Sequence, residues 1–140
     1  MEFQVAERQV SLRVMLVDSN VHLLASFAKL LEVHGHSVRT AISCKEALAV
    51  TEGYRPEAVF TGIALFLSSG FELTRRLRAR TDCVNAVIVA MTGRESELTA
   101  EQWTYAGFDR VLHRPTDIHA IVDVLRAISI SRRANVRLVQ

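Results

Sequence analysis

The stretch NAVIVAM, residues 85–91, places six apolar residues in a row after a single asparagine. A strand with one face in water alternates apolar and polar residues, so an unbroken run with Val and Ile indicates a strand covered on both faces. Strands of a parallel sheet, with helices packed on either side, meet that condition. We therefore predict an α/β fold in which this stretch forms one parallel strand.

Four further short runs of this kind stand before and after it, and each is followed by apolar residues at helical spacing. The runs are VMLV (14–17), SVRTA (37–41), EAVFT (57–61) and DRVLH (109–113). The alternation predicts five β–α units, which right-handed crossovers wind into a doubly wound sheet. Ligands of such sheets bind in the crevice beyond the carboxyl ends of the strands.

Signals for helix ends fall between these runs. Gly35 stands where a left-handed residue would end the first helix, and S-x-x-E at residues 43–46 and 69–72 fits a capping box at the next two helix starts. Thr116 or Asp117 can cap the last helix. The apolar stripe of that helix consists of Ile118, Ile121, Val122, Leu125 and Ile128.

Length and composition limit the architecture and the partners. The chain has 140 residues, 49% of them hydrophobic, which suits a single core and leaves no room for a second folded domain. We predict one domain over residues 12–129, with tails at 1–11 and 130–140 as the parts most prone to fraying. The net charge of +2 gives no general attraction to nucleic acid or anionic lipid.

The location of the protein is predicted from what the sequence lacks. Cys44 and Cys83 are far from C-x-x-C spacing, and the N-terminus lacks the charged-then-apolar pattern of a signal peptide. No apolar run approaches the roughly 18 residues of a membrane span. These observations predict a cytoplasmic protein without a membrane partner.

Basic and histidine residues each have an ordinary interpretation. The segment TRRLRAR at 74–80 carries four arginines without interleaved aromatic residues, which favours a solvated helix face over a nucleic-acid surface. Arg132, Arg133 and Arg137 are interpreted as part of the C-terminal tail. The five histidines have no matching cluster of cysteines or carboxylates, so we expect no metal site from them.

Four motifs in this chain are similar to those of response-regulator receiver domains. They are LVDSN (16–20), PEAVFTGIALFLSSGFEL (56–73), AMTG (90–93) and AGFDRVLHRP (106–115). Pro56, Gly70, Thr92, Gly107 and Pro115 all fall where the family pattern has them. The resemblance implies a flavodoxin-like (βα)5 fold, a five-stranded parallel sheet of order 2-1-3-4-5, and a role in two-component signalling.

The resemblance also shows where this chain departs from the family. Receivers accept a phosphoryl group from a histidine kinase on a third-strand aspartate, where this chain has Gly62. Ser19 stands for the second acid after the first strand, Arg114 for the lysine, and Val111 for the aromatic switch residue. Because phosphoryl transfer depends on positioning and electrostatics, each lost group matters. We predict a non-enzymatic pseudo-receiver that is not phosphorylated at the usual position.

A remnant of the phosphorylation pocket is expected at the strand ends. It consists of Asp18, Ser19, Gly62, Thr92 and Arg114. Asp18 is the only acidic ligand candidate left, so we predict weak or absent Mg²⁺ binding and no other cofactor. Two arrangements stay open: Asp18 and Arg114 form an ion pair that replaces metal and phosphate, or both side chains face water. The Thr92 hydroxyl can donate to Asp18 or to a strand-end carbonyl, or be kept for structure alone.

Three function classes follow from these residues. The favoured one is a stand-alone, phosphorylation-independent protein interaction module in a phosphorelay pathway. The alternative is an active receiver with a substitute acceptor at Asp18, Ser68 or Ser69. A small flavodoxin-like enzyme or nucleotide binder is the third, but neither G-x-G-x-x-G nor a Walker pattern is present.

The family also suggests where a partner would dock. Receivers commonly use the face of the fourth helix, fifth strand and fifth helix, which here carries Trp103, Tyr105, Val111, His113 and Val124. The partner would be a histidine kinase, another two-component protein or a second copy of the chain. Trp103 and Tyr105 point to different sides of one helix, so both cannot be deeply buried in one narrow stripe. Scattered apolar exposure, which is normal on monomers, is the other interpretation.

Overall fold

The structure is a computed structural model that describes residues 11–93 and 98–139, with the side chains of 133–139 outside the described part. The strands are β1 (Arg13–Val17), β2 (Ser37–Ala41), β3 (Ala58–Gly62), β4 (Ala64–Leu65), β5 (Ser68–Ser69), β6 (Val87–Thr92) and β7 (Arg110–His113). The helices are α1 (Val21–Val33), α2 (Cys44–Tyr54), α3 (Gly70–Arg78), α4 (Ala100–Tyr105) and α5 (Ile118–Val139).

The central sheet has five parallel strands in the order β2-β1-β3-β6-β7. Since β6 and β7 are the fourth and fifth of the predicted strands, the predicted order 2-1-3-4-5 and the flavodoxin-like α/β fold are confirmed. The short strands β4 and β5 form a separate antiparallel hairpin between β3 and α3. The sequence analysis did not predict this hairpin.

Alternate residues of each strand pack on opposite faces of the sheet. In β6, Val89 and Met91 join the core cluster under α1 and α5, whereas Ile88 and Ala90 join the cluster under α2, α3 and α4. All four side chains are buried. The unbroken apolar run of residues 86–91 therefore exists because both faces of the sheet are covered by helices.

The helix starts are satisfied by the expected side chains. Ser43 Oγ accepts a hydrogen bond from the Glu46 amide, and Ser69 Oγ accepts one from the Glu72 amide. At Ser43 the reciprocal bond is missing, since the Glu46 carboxylate accepts from the amide of Ile42 instead. A reciprocal capping box occurs at α4, between Thr99 and Gln102.

The segment predicted as a C-terminal tail, residues 130–140, is helical through Val139. Helix α5 continues to Val139, because no glycine or proline interrupts it after Ile118. Arg132 lies in this extension and pairs with Glu57 at 2.5 Å, so it is not part of a free basic arm. Residues 1–10 of the predicted N-terminal tail, and the side chains of Arg133 and Arg137, lie outside the described residues.

Among the residues that the structure describes, no helix combines the length and the apolar character needed to cross a bilayer.

Candidate functional site

The carboxyl edge of the sheet brings four of the predicted pocket residues together. Asp18 follows β1, Gly62 ends β3, Thr92 ends β6, and Arg114 follows β7. Backbone hydrogen bonds fix the two charged residues: the Asp18 amide donates to the Ala41 carbonyl at 3.1 Å, and the Arg114 amide donates to the Thr92 carbonyl at 2.7 Å. The fold thus places one carboxylate and one guanidinium around the end of β3.

Asp18 and Arg114 form an ion pair. Nη2 of Arg114 donates to Oδ2 of Asp18, while Oδ1 of Asp18 accepts a hydrogen bond of 2.9 Å from the Asn20 amide. The Asp18 side chain is 5% exposed and the Arg114 side chain 33% exposed, so the carboxylate is buried beneath the guanidinium. Of the two arrangements left open by the sequence, the structure has the paired one.

Gly62 leaves the space that this pair fills. A Cβ atom on Gly62 would lie 2.7 Å from Oδ2 of Asp18 and 2.9 Å from Nη2 of Arg114, both closer than normal contact. Any side chain at position 62 would therefore push the ends of these two side chains aside. The ion pair thus occupies space that the glycine leaves open.

The backbone of Gly62 is also tightly enclosed. Its carbonyl accepts a 2.8 Å hydrogen bond from the Thr61 hydroxyl, and a Cβ atom on Gly70 would stand 2.3 Å from the same carbonyl oxygen. The start of α3 therefore packs against the end of β3 without room for a methyl group.

The residues at this edge do not fit the Mg²⁺ site of the family. Magnesium prefers several oxygen ligands, and carboxylates above all. Asp18 is the single carboxylate among the pocket residues, and both of its oxygens already accept hydrogen bonds. Ser19 is exposed and offers only a hydroxyl. No group of three or more His, Cys, Asp or Glu suited to a metal exists within residues 11–93 and 98–139.

Thr92, Ser68 and Ser69 carry the hydroxyl groups that the sequence analysis considered at this edge of the sheet. Thr92 is buried, and in the described part of the chain its hydroxyl makes no hydrogen bond to Asp18. Ser68 Oγ accepts from the Cys44 amide at 2.9 Å and donates to the Phe66 carbonyl at 3.0 Å. Ser69 Oγ caps α3 by accepting from the Glu72 amide at 3.2 Å. Both serine hydroxyls are therefore already engaged in holding the loop and the helix start.

A cavity of about 680 Å³ opens beside the ion pair. One wall is polar, with Asp18, Ser19, Asn20, Thr92 and Arg114. The other wall is mostly apolar, with Ile63, Ala64, Phe71, Met91, Leu98 and Trp103. The sequence analysis did not predict this second wall, because its residues come from β4, α3, β6, α4 and the segments beside them and share no motif.

Trp103 belongs to that cavity and not to an exposed docking face. It is only 6% exposed, its ring stacks on Phe71 at 5.6 Å, and Phe108 packs edge-on against it at 5.3 Å. The interpretation of Trp103 as a surface contact residue was therefore wrong. Its burial follows from this three-ring cluster, which fills the space between α3, α4 and the sheet.

The other residues of the predicted interaction face differ in their exposure to solvent. Val124 is 4% exposed and packs in the core with Ile121 and Leu125, so its assignment to the face was also wrong. A helix that covers a sheet buries a stripe of about 100° or more, which is wide enough to include Val124. Tyr105 is 95% exposed, His113 is exposed and Val111 is half-buried. Of the two α4 aromatics only Trp103 is buried, as their angular separation predicted.

The arginines of residues 74–80 are mostly committed to local partners. Arg78 donates to the carbonyls of Val84, Ala86 and Gly107 and pairs with Asp109 at 2.7 Å. Arg76 pairs with Glu72 at 3.3 Å and Arg80 with Asp82 at 3.0 Å. These contacts agree with a structural and solvated role for the basic segment.

The chain resembles known proteins over most of its length. The profile of the response regulator receiver domain matches residues 14–126. The chain is 28% identical over 116 residues to response regulator MprA of Mycolicibacterium vanbaalenii, and 28% identical over 119 residues to response regulator MprA of Mycobacterium bovis. These alignments cover 83% and 85% of this chain but 49% and 51% of the relatives. The chain thus spans about half the length of the curated relatives it matches.

Solved structures agree on the fold. A receiver domain (CheY-like) from Methylobacillus flagellatus superimposes with a TM-score of 0.75 at 27% identity, covering 85% of this chain and 99% of that one. A response regulator of Burkholderia pseudomallei with a phosphorylated aspartic acid, calcium ion and citrate gives 0.74 at 26% identity, over 91% and 74% of the chains. Chemotaxis response regulator CheY4 of Vibrio cholerae, at 20% identity, gives 0.77 over 85% and 99% and supports the fold alone.

Proposed function

This chain belongs to the response regulator receiver domain family of two-component signalling, and from that premise we propose that it acts without phosphorylation, as a protein interaction module. The observation that carries the proposal is Gly62 at the acceptor position, with the Asp18–Arg114 pair packed against it. A glycine has no nucleophilic atom in its side chain. The pair also occupies the space in which an acceptor side chain would stand.

Electrostatics at this edge support the same conclusion. A phosphoryl group brings negative charge, which active receivers balance with a metal ion and a lysine. Here the described pocket residues include a single carboxylate, too few for Mg²⁺, so the metal's share of that charge balance is missing, and Arg114 already donates to Asp18. The pair therefore stands in place of the metal and phosphate charges and fixes one arrangement of the strand ends.

Substitute acceptors have less support. The hydroxyls of Ser68 and Ser69 hold the β4–β5 hairpin and the start of α3, and neither residue lines the cavity at the carboxyl edge. Asp18 is nearly buried, and each of its carboxylate oxygens accepts a hydrogen bond, from Arg114 or from the Asn20 amide, which lowers its access to a phosphoryl donor and its nucleophilicity.

Receiver domains interact with histidine kinases and other two-component proteins, and we propose a partner of that kind here. Tyr105 on α4 and His113 on β7 are exposed, and Val111, which also lies on β7, is half-buried. We propose this reduced set as the contact face. An exposed tyrosine offers a large apolar ring together with a polar tip, which suits a protein interface.

The test is intact-mass spectrometry of the chain after incubation with Mg²⁺ and acetyl phosphate. The matched control is the triple variant Ser19→Asp, Gly62→Asp and Arg114→Lys, which rebuilds the family's set of charges. We expect no phosphoryl adduct on the natural chain and one adduct on the triple variant. A working receiver in a parallel reaction calibrates the donor if the triple variant stays unmodified. A stoichiometric adduct on the natural chain would overturn the proposal, and peptide mapping would identify the acceptor.

A further inference from the structure

The cavity at the carboxyl edge combines a cationic group with an apolar wall. Its volume of about 680 Å³ lies in the range of about 300–1,000 Å³ that is typical of small-molecule sites. The ion pair described above uses only part of this edge. The remaining space is bounded by Phe71, Met91, Leu98 and Trp103.

Arg114 has hydrogen-bonding capacity to spare. A guanidinium carries five N–H groups. In the part of the chain that the structure describes, the side-chain hydrogen bond of Arg114 is the one from Nη2 to Asp18. The side chain is 33% exposed, whereas its partner carboxylate is 5% exposed. An incoming anion therefore meets the guanidinium and not the buried carboxylate.

The apolar wall contains aromatic rings that pack against one another. Trp103 and Phe71 stack with their planes 15° apart, and Phe108 locks both rings from the side. Leu98 is 38% exposed at this wall, an exposure that a bound apolar group would reduce. A small inorganic anion would leave the apolar side chains of this wall in contact with water. A ligand with an apolar part would bury them, which is favourable.

We propose that this cavity binds a small organic anion, with one carboxylate or phosphate-type group on an aromatic or alicyclic body. The anionic group binds the spare N–H donors of Arg114, and the body packs on Phe71 and Leu98, the more exposed apolar side chains of this wall, beside Trp103. The inference rests on the proposed function, because a phosphoryl group and such a ligand would compete for the same edge. It adds a chemical input to a receiver that has lost its phosphorylation chemistry.

The chain contains one tryptophan, and it lies in this cavity, so intrinsic fluorescence reports binding directly. The probe is 8-anilinonaphthalene-1-sulfonate, an aromatic sulfonate, titrated against the full chain while Trp103 emission and energy transfer to the dye are recorded. Phenyl phosphate, benzoate and inorganic phosphate are then tested as competitors. We expect saturable quenching, displacement by phenyl phosphate or benzoate, and little displacement by inorganic phosphate.

Two variants and one control locate the binding. Arg114→Gln removes the charge, and Ala64→Phe adds a large ring at an exposed position that lines the cavity; each should weaken dye binding about tenfold or more. Arg110→Gln, an exposed arginine on β7, should leave it unchanged. Ala64→Phe keeps the test valid if Arg114→Gln fails to fold.

The outcomes separate this inference from the proposed function. Absence of saturable quenching, equal affinity for the natural chain and the Ala64→Phe variant, or full displacement by inorganic phosphate would each overturn the organic-anion site. None of these results bears on the phosphoryl adduct, which is measured by mass. An adduct on the natural chain would overturn the proposed function whatever the dye does.

Discussion

At the amino edge of the sheet the carboxylate of Glu57 holds two arginines, whereas at the carboxyl edge the carboxylate of Asp18 holds one. Glu57 accepts from the Arg13 amide at 2.9 Å and pairs with Arg132 of α5 at 2.5 Å. The Nε of Arg13 donates to the Arg55 carbonyl at 2.9 Å. These groups connect β1, α5 and the segment that leads into β3.

The space beside the two carboxylates differs as much as their partners. Glu57 lines a cavity of about 180 Å³ and its partner Arg132 a second one of about 700 Å³, while Asp18 and Arg114 line one of about 680 Å³. Aromatic side chains, Phe71 and Trp103, line the cavity of Arg114 but neither of the two at the amino edge. Similar ion pairs therefore have different consequences, depending on the side chains that stand beside them.

The largest expected effect concerns the tight packing at the carboxyl edge. Gly70→Ala would put a Cβ atom 2.3 Å from the Gly62 carbonyl oxygen, so the backbone has to move. We expect a loss of about 3 kcal/mol in the free energy of unfolding, measured by urea denaturation. Gly62→Ala is the matched control, since its Cβ meets only the ends of two side chains, and about 1 kcal/mol is expected. Equal losses for both variants would contradict this account of the edge.

The two carboxylates should also differ when they are removed. Asp18→Ala leaves the Arg114 charge partly buried without a partner and also removes the acceptor of the Asn20 amide. We expect a loss of about 2 kcal/mol, below the full cost of a broken buried pair because Arg114 is a third exposed. Glu57→Ala should cost about 1 kcal/mol, because Arg13 and Arg132 are more exposed. If the Asp18→Ala variant is as stable as the natural chain, the Asp18–Arg114 pair does not stabilise the fold.

The smallest expected effect is a loss of folding stability in mild acid that comes from His36, at the amino edge of the sheet. Burial, and then the nearby His34, lower the pKa of His36 from 6.5, and its Nδ1 accepts from the Leu12 amide, which requires a neutral ring. The unfolded chain therefore takes up this proton at a higher pH than the folded chain. The stabilisation is complete above pH 6.5 and is lost as the pH falls towards the folded pKa. Urea denaturation across this range should show a slope that His36→Gln reduces and that His34→Gln largely retains.

Sequence patterns were sufficient for the three inner strands β1, β3 and β6, because each is buried on both faces and is long enough to leave an apolar run. The β4–β5 hairpin was missed because strands of two residues, Ala64–Leu65 and Ser68–Ser69, are too short to show any periodicity. The length of α5 was missed because its polar residues after Ile128 resemble a frayed end, although no stop signal is present.

The candidate site was predictable in composition but not in geometry. The family motifs identified Asp18, Gly62 and Arg114, yet Asp18 and Arg114 are 96 positions apart, and no local rule states whether their side chains meet. Burial of Trp103 depends on Phe71 and Phe108, two rings from other parts of the chain. Contacts of this kind are set by tertiary packing, which a helical spacing rule does not contain.

The position of the ion pair in the sheet has a consequence for how the molecule opens. Asp18 follows β1 and Arg114 follows the edge strand β7, so the pair reaches across the ends of β3 and β6. An edge strand normally detaches first and exchanges its amide hydrogens with solvent before the inner strands do. Because β7 cannot detach from the sheet without breaking the Asp18–Arg114 pair, its amide hydrogens should exchange together with those of β1. In the Asp18→Ala variant they should exchange before those of β1.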